Sequence, residues 1–287
     1  KHEKEFYHYA LVNRYILFIR DFAAYKFKKE HLIGKINKPK ILLTHDVDAN
    51  KVTFGLKLRQ FFHNQKWPKL PLGEDLNCIE EIVKIENKFN TKSIFFFNAS
   101  KRYFSIPLVD PSYKISEFIQ SILFLKDNGI KYGLHPGILS SIFEKALRSE
   151  INNFRYVIKE HPTLVRNHWL SNFKERTWKI QENLNVKIDY STGFNNIPGF
   201  RNLSLIEYTP YEKLKLVPMI IMDGQFHNYI KEDKENIMYQ ITPIIDELVN
   251  VGGIASINFH QRFFHSYYGY KSLYEDLLQY LNEKDLL

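Results

Sequence analysis

The chain is poor in cysteine: Cys78 is the only one among 287 residues. A single thiol excludes an internal disulfide, so the fold needs no oxidising compartment. Cys78 lies in a predicted helix between the apolar residues Leu76 and Ile79. We interpret it as a core thiol, not as a nucleophile.

The chain also lacks a long apolar run. No uncharged segment approaches the roughly 20 residues of a membrane span, and Tyr15–Ile19 is soon interrupted by Arg20 and Asp21. No signal peptide is visible, although the chain begins with lysine and a trimmed end stays open. We therefore predict a cytoplasmic protein, with peripheral contact to a membrane surface as the alternative.

Positive charge is concentrated at the N-terminus. The formal charge is +8, and residues 1–40 hold ten Lys/Arg and four Asp/Glu, a balance of +6 that leaves +2 for the rest. Such a segment could face anionic lipid, an acidic glycan or nucleic acid, but a solvated helix face is the commoner cause, and we expect no nucleic-acid partner. We predict that residues 1–40 form a basic helical extension packed on a catalytic domain of residues 41–287. The expected contacts are Phe6, Tyr7, Ala10, Leu11 and Phe18.

From residue 41 onward, short apolar strands alternate with amphipathic helical patterns. This alternation predicts a parallel sheet with right-handed crossovers. Seven strands favour an α/β fold, a distorted (β/α)7 barrel of parallel strands with the N-terminal helical extension; an open doubly wound sheet is the alternative. The predicted strands are Ile41–His45, Ser93–Phe97, Tyr132–His135, Leu164–His168, Lys187–Tyr190, Val217–Met222 and Ile254–Phe259.

Histidines, acids and arginines recur at or just after the strand ends. In a parallel barrel these ends open onto one face, where enzymes of this architecture keep their active sites. The regularity of the pattern therefore predicts an active site on that face. The residues concerned are His45, Asp46, Asp48, His135, Arg166, Asn167, His168, Asp189, Arg201, Asp223 and His260.

Asp46 and Asp48 lie two residues apart where the first strand meets a loop. In an extended backbone, residues i and i+2 project to the same side. The two carboxylates can therefore converge on one point, one as a base and the other as a metal ligand. Capping of a following helix is the alternative.

At this point the chain resembles the polysaccharide deacetylases of the NodB-homology group, carbohydrate esterase family four, over roughly residues 41–265. Thr44–Asp48 is similar to their first motif, Tyr132–His135 to the histidine-bearing second motif, and Ile257–His260 to the closing motif; Arg166 falls where their third-motif arginine belongs. The runs 166–170, 189–193 and 199–201 resemble a branch associated with bacterial surface-polysaccharide loci. No single motif is decisive, but their order and spacing together are fairly specific.

The resemblance implies metal-assisted hydrolysis of an N-acylated sugar or glycan, with removal of acetyl or formyl in surface-polysaccharide or lipopolysaccharide biosynthesis. One divalent ion, most often Zn²⁺ with Co²⁺, Ni²⁺ or Mn²⁺ as alternatives, would activate the attacking water. Asp46 would be the base, Arg166 would orient it, and His260 would protonate the leaving amine. Asp48 and His135 would bind the metal. We assign Arg201, Asp189 and Asp223 to substrate binding, with structural ion pairs as the alternative.

One position departs from the family pattern. The usual second motif carries another histidine four residues after the first, and Leu139 stands there. Our candidate for the third ligand is His168, two residues from Arg166 on the same predicted strand. His45 should point to the opposite face from Asp46, and ligation by His260 would leave the acid role empty.

Two other functions remain open from the sequence. A degenerate barrel could bind glycan without catalysis, which the missing histidine favours. A metal phosphohydrolase would need further ligands to hold two metals about 3.5–4 Å apart, and the chain offers few.

Overall fold

The computed structural model describes residues 6–29, 38–64, 68–230 and 233–287. Its centre is a closed barrel of seven parallel strands in sequential order. The strands are β1 (Lys40–Val47), β2 (Ile94–Phe97), β3 (Lys131–Leu134), β4 (Leu164–Val165), β5 (Ile188–Thr192), β6 (Lys215–Met222) and β7 (Ile254–Asn258). The predicted α/β barrel is confirmed. The open doubly wound sheet is wrong, because β7 pairs with β1 and closes the sheet.

Helices surround the barrel, and their apolar residues join one large core with the outward-facing strand residues. The helices are α1 (Leu11–Lys26), α2 (Phe54–Asn64), α3 (Ile79–Asn87), α4 (Ile119–Asp127), α5 (Glu144–Ile158), α6 (Glu175–Asn183), α7 (Lys234–Val251) and α8 (Lys271–Glu283). Within the described ranges, none of them combines the length and the apolarity needed to cross a bilayer.

Strand β1 shows how side chains divide between two cores. Ile41, Leu43 and Val47 belong to the core between barrel and helices, whereas Leu42 packs inside the barrel. Because side chains alternate along a strand, Thr44 and Asp46 follow Leu42 on the inward face. An apolar plug of Ile94, Phe96, Tyr190 and Val217 fills the interior beside Leu42. Polar groups inside the barrel are thereby confined to the carboxyl ends of the strands.

Strand β4 is shorter than predicted. It ends at Val165, and His168 begins a 3-10 turn, His168–Leu170. The chain between them still runs beside β3, because the backbone N–H groups of Arg166 and His168 donate to the carbonyl oxygens of Leu134 and Pro136, at 3.1 and 2.8 Å. Arg166 and His168 thus reach the same end of the barrel without belonging to a regular strand.

The N-terminal segment contacts the barrel domain through polar groups and a few apolar side chains. The Tyr7 ring lies 4.8 Å from that of Phe194, and Leu17 packs against the main core. Ala10 is fully buried and its N–H donates to Glu247 Oε1 at 3.0 Å. Asn13 donates to the carbonyl oxygen of Gly252 at 3.1 Å. Phe6 and Phe18 are 48% and 67% exposed, so the prediction that they pack on the barrel is wrong. Residues 1–5 and 30–37 of the predicted extension lie outside the described residues.

Gly133 on β3 occupies a position where no side chain fits. A Cβ atom there would lie 2.5 Å from the carbonyl oxygen of Leu164 and 2.9 Å from atoms of Leu164 and Phe96. The backbone oxygen belongs to the neighbouring strand β4 and cannot withdraw without breaking the sheet. Close approach of β3 and β4 therefore depends on glycine.

We expect Gly133→Ala to lower the free energy of unfolding by roughly 2–3 kcal/mol, the cost of an overpacked core site. Denaturant unfolding followed by circular dichroism would measure it. Gly55→Ala in α2 is the matched control, since its Cβ would meet only Leu108 Cδ2 at 3.4 Å and Thr53 Oγ1 at 4.0 Å. Equal stability of the two variants would contradict the steric account.

A buried carboxylate supports the loop that follows β3. Glu150 in α5 is fully buried and accepts hydrogen bonds from the backbone N–H of Gly137, at 3.1 Å, and from Ser140 Oγ, at 2.7 Å. Burial raises its pKa to about 7, although these hydrogen bonds oppose the shift. The protonated form of Glu150 is thus favoured in the folded protein relative to the unfolded chain.

A raised carboxyl pKa stabilises the fold fully below the unfolded pKa of 4.5 and loses that contribution as pH rises through about 7. Because Gln does not ionise, we expect the stability of Glu150→Gln relative to wild type to increase by about 2 kcal/mol between pH 5 and pH 8. Urea unfolding across this range would measure the difference. Glu212→Gln, at an exposed loop position, is the control, and a pH-independent difference for Glu150→Gln would refute the assignment.

Candidate metal centre and active site

Strand β1 delivers two aspartates to one cavity. Asp46 and Asp48 are 2% and 4% exposed, and both line a cavity of about 760 Å³, its open mouth included. The side chain of His45, also on β1, points outward to the helices as expected. Its Nε2 lies 3.0 Å from Glu86 Oε1 on α3. The i, i+2 spacing therefore brings the two carboxylates together and leaves His45 in the outer core.

Asp48, His135 and His168 form the candidate metal centre. Each offers a ligand atom within 4.8 Å of the other two, and all three residues are buried. His135 Nε2 lies 3.3 Å from Asp48 Oδ1. Leu139, at the position of the usual second-motif histidine, is not among the residues that line the cavity. The geometry brings His168 to the other two residues instead.

Both imidazoles are oriented by a hydrogen bond on the far side of the ring. His135 Nδ1 donates to the carbonyl oxygen of Arg166 at 2.5 Å. His168 Nδ1 donates to Asp110 Oδ1 at 3.0 Å. Each bond leaves Nε2 as the ring atom available to a metal, an arrangement common around protein-bound zinc.

The unsatisfied atoms of this cluster fit a cation. Asp48 Oδ1 and His135 Nε2 are buried and make no hydrogen bond with any described residue. A buried acceptor without a partner costs free energy, and a coordinated cation would remove that cost. One carboxylate and two imidazoles make a donor set that zinc takes in catalytic sites. The residues present therefore fit a single divalent ion.

Arg262 fixes the orientation of Asp48 and was not identified from the sequence. Its Nη1 donates to Asp48 Oδ2 in a very short contact, so Oδ1 is the oxygen left to face His135. Burial opposes ionisation of Asp48, but Arg262, His260 and His135 together hold its pKa well below the usual range. Asp48 is therefore a carboxylate at neutral pH. The only signal for Arg262 in the sequence was its i+2 position after His260.

Asp46 lies beside the candidate metal ligands, but its hydrogen-bond and ion-pair partners are different residues. Asn258 Nδ2 donates to Asp46 Oδ2 at 2.9 Å, and Asp46 Oδ1 makes no hydrogen bond with the described residues. Arg166 Nη1 lies 3.6 Å from Asp46 Oδ1, an ion pair rather than a hydrogen bond. Asp46 also lines the cavity, whereas Arg166 is buried beneath it. The predicted pairing of Arg166 with Asp46 is present at this separation.

His260 is held by Asp223. Its Nδ1 donates to Asp223 Oδ1 at 2.5 Å, and its backbone N–H donates to Asp223 Oδ2 at 2.6 Å. Burial disfavours the charged imidazole, but Asp223 and Asp48 raise the pKa of His260 overall. Both oxygens of Asp223 face His260 and Asp223 is fully buried, so it is placed to orient His260 instead of contacting substrate as predicted.

The other two predicted substrate contacts lie away from the cavity. Asp189 is fully buried, and its Oδ1 accepts a 2.7 Å hydrogen bond from the N–H of Ser191. Arg201 is exposed and donates to the carbonyl oxygen of Gly193 at 2.9 Å. Neither is among the lining residues. The prediction for Asp189 rested on a strand that ends at Tyr190. Strand β5 instead runs from Ile188 to Thr192, so Asp189 is its second residue and lies away from its carboxyl end.

The mouth of the cavity combines aromatic and amide side chains. Trp169 has φ of 58° and Leu170 has φ of 48°, a left-handed pair that non-glycine residues seldom adopt. Asn195 Nδ2 donates to the carbonyl oxygen of Trp169 at 2.9 Å and holds this turn. The lining residues outside the candidate metal centre include Gln60, Asn167, Trp169, Asn195, His227, Asn228, Tyr229 and Phe263.

No protein-family model matches the chain, and no curated protein matches it significantly. Among solved structures, a Mycobacterium smegmatis protein assigned as a polysaccharide deacetylase superposes with a TM-score of 0.57 at 14% identity, over 86% of this chain and 85% of that one.

Two further solved structures are similar to this chain with lower TM-scores. A polysaccharide deacetylase from Bacillus cereus has a TM-score of 0.47 at 12% identity, over 87% of this chain and 90% of its own. A CE4 family pseudoenzyme from Bacillus anthracis has a TM-score of 0.48 at 11% identity, over 88% and 64%. Only the first of the three structures exceeds 0.5, and identities this low concern architecture, not chemistry. The protein has the barrel fold of the polysaccharide deacetylases.

Proposed function

We propose that the protein is a metal-dependent hydrolase that removes an N-acyl group, acetyl or formyl, from a sugar. The observation that carries this proposal is the convergence of three units on one cavity: the cluster Asp48, His135 and His168, the free carboxylate oxygen of Asp46, and the His260–Asp223 pair. Amide hydrolysis by water needs a Lewis acid, a base and an acid, and these units supply one candidate for each.

Asp48, His135 and His168 would hold one divalent cation, for which Zn²⁺ is our first choice and Co²⁺, Ni²⁺ and Mn²⁺ are alternatives. When bound, such an ion polarises an amide carbonyl and lowers the pKa of water. Arg262 keeps Asp48 ionised and turned toward the imidazoles. Asp110 keeps Nε2 of His168 available by accepting from Nδ1.

Asp46 is the proposed base. Its Oδ2 is anchored by Asn258, while Oδ1 has no hydrogen bond with the described residues and is free to take a proton from water. The guanidinium of Arg166 lies 3.6 Å from Asp46 Oδ1 and would keep the carboxylate oriented. A water molecule held between Asp46 and the substrate carbonyl can thus lose its proton to Oδ1.

His260 is the proposed acid. Its pKa is raised by Asp223 and Asp48 against the effect of burial, so the imidazolium is available near neutral pH. With Nδ1 committed to Asp223, the proton to be transferred is on Nε2, which lies 3.6 Å from Asp48 Oδ2. From there it can reach the departing amine nitrogen. The base is on β1, and the acid follows β7, the strand that pairs with β1.

The cavity is suited to a sugar. Amide side chains such as Asn195 and Asn228 can bond hydroxyls, and Trp169 offers an apolar ring face. We extend the proposal to an N-acylated sugar or glycan of bacterial surface-polysaccharide or lipopolysaccharide assembly. Residues 41–287 would form the catalytic unit and residues 1–40 an extension of it.

Two alternatives lose support. A barrel that only binds glycan was favoured by Leu139, but His168 supplies a third donor to Asp48 and His135. A two-metal phosphohydrolase needs a second cluster of ligands. Across the part of the chain that the structure describes, Asp48, His135 and His168 make the one group of three with metal-binding spacing.

We expect His168→Ala to weaken Zn²⁺ binding by at least about tenfold, because two of three donors remain. Asp110→Asn should weaken it by about 10–100-fold, since the imidazole loses its orienting carboxylate. Calorimetric titration of metal-stripped protein would measure both. His161→Ala, outside the cluster, is the control, and His260→Ala should retain wild-type affinity if His260 is an acid and not a ligand. Full affinity in His168→Ala would refute its role as a ligand.

We expect Asp46→Asn to lower the turnover of N-acetylated or N-formylated hexosamines by about 10²–10⁴-fold while Zn²⁺ content stays near that of wild type. The amide keeps the size of the side chain but cannot take a proton. Release of acetate or formate from free and oligomeric sugars would be assayed beside release of phosphate from phosphate esters. Asp276→Asn, exposed on α8, is the control. Phosphate release, or acyl release that survives in Asp46→Asn, would contradict the proposal.

A further inference from the structure

Helix α1 carries its apolar face outward. The stripe that faces the barrel domain consists of Asn13, Leu17, Arg20 and Ala24, spaced three or four residues apart, and only Leu17 among them is a large apolar residue. Asn13 and Ala24 are buried. A surface helix of a globular protein normally shows the reverse, with its apolar stripe toward the core and its polar face toward water.

The opposite face of α1 is a contiguous apolar surface. Tyr15, Phe18, Phe22 and Tyr25 recur at helical spacing on it, and their exposed fractions are 66%, 67%, 58% and 73%. Phe18 and Phe22 stack on each other with ring centroids 6.2 Å apart. Ile19 beside them is 62% exposed. Single exposed apolar residues are ordinary on a protein surface, but a patch of this density marks a binding surface.

Positive charge follows the outward face at its C-terminal end. Lys26, Lys28 and Lys29 are exposed and make no ion pair with any described residue. Asp21 is the only acid in α1, and it accepts from Arg20 Nε at 2.7 Å. Among the described residues, these three lysines therefore have no acidic partner.

We propose that the outward face of α1 (Tyr15, Phe18, Ile19, Phe22 and Tyr25) lies in the interface of an anionic lipid bilayer. Aromatic rings with some aliphatic side chains on one face and lysines beside it are the pattern of a helix that lies in the plane of a membrane surface. Lipid phosphates complement Lys26, Lys28 and Lys29. This proposal does not depend on the chemistry assigned to the barrel.

A second copy of the chain is a poorer occupant for the same surface. A symmetric dimer places the same patch of each copy in the contact. That patch offers no unpaired acid, because Asp21, the only acid in α1, accepts from Arg20. A second copy would therefore bury the aromatic rings without complementing Lys26, Lys28 and Lys29, whereas an anionic lipid surface complements both.

The attachment of α1 leaves the cavity free. Asn13 contacts Gly252, immediately before the amino end of β7, whereas His260 follows the carboxyl end of the same strand. None of Tyr15, Phe18, Ile19, Phe22 and Tyr25 is among the residues that line the cavity. Lipid bound by the outward face of α1 would therefore not fill the candidate active site.

Flotation with vesicles of phosphatidylcholine, with and without phosphatidylglycerol, tests the proposal on the full chain. We expect binding to vesicles that contain phosphatidylglycerol, and a loss of at least about tenfold in affinity for the double variant Phe18→Ser/Phe22→Ser. The triple variant Lys26→Glu/Lys28→Glu/Lys29→Glu should lose the preference for the anionic lipid. Tyr156→Ser/Tyr239→Ser removes two aromatics that are 75% and 80% exposed elsewhere and should bind as wild type does.

Insertion can be followed at a single labelled position. Cys78 is 9% exposed and burial raises its pKa to about 12, so a fluorophore that reacts with thiolates would label Phe22→Cys selectively. Its emission should shift to the blue on vesicles with phosphatidylglycerol. Wild-type protein that fails to bind them, unchanged binding by Phe18→Ser/Phe22→Ser, or a dimer in sedimentation that this variant dissociates without any effect on vesicles would each overturn the proposal. Circular dichroism would verify that all variants are folded.

Discussion

The structure depends on one buried guanidinium. Arg166 is fully buried at the top of the apolar plug, where an isolated cation would be very costly. It donates hydrogen bonds to three strands: to Thr44 Oγ1 on β1 at 2.7 Å, to the carbonyl oxygen of Tyr190 on β5 at 3.2 Å, and to Ser256 Oγ on β7 at 3.3 Å. Its charge is balanced by Asp46. Arg166 thus binds the barrel together at the level where the plug gives way to the candidate site.

The same residue links the fold to the arrangement of the ligands. The carbonyl oxygen of Arg166 accepts from His135 Nδ1, so one residue orients the candidate base through its side chain and a candidate ligand through its backbone. Arg262 has a similar role at the other aspartate, because it donates a hydrogen bond to one oxygen of Asp48. Each of the two aspartates therefore has its own arginine, and both aspartates line the same cavity. A divalent ion could enter such a site without leaving either guanidinium unpaired.

Sequence reasoning worked where periodicity controls position. Alternation along β1 correctly separated Asp46 and Asp48 from His45, and the β/α rhythm predicted a closed parallel barrel. It failed where position depends on irregular chain. Asp110 comes from a long loop with no strand to place it. Asp189 is the second residue of β5, because that strand begins and ends later than its sequence pattern indicates. Asp223 has the expected location at the end of β6, but the sequence does not indicate that both of its oxygens accept hydrogen bonds from His260.

The predicted packing of Phe18, in α1, was wrong for a different reason. An amphipathic pattern identifies which residues share a face but not which medium that face meets. Packing of Phe18 on the barrel was the natural expectation for a helix in water, and the exposed ring contradicts it. The docking of α1 uses hydrogen bonds instead: Asn13 to Gly252, the N–H of Leu205 to Asn13 Oδ1 at 2.9 Å, and Arg14 to Glu247. Polar contacts of this kind hold a helix in a defined orientation without using its apolar surface. The outward face of α1 is left available because hydrogen bonds, an ion pair and a narrow apolar contact through Leu17 attach the helix to the barrel domain.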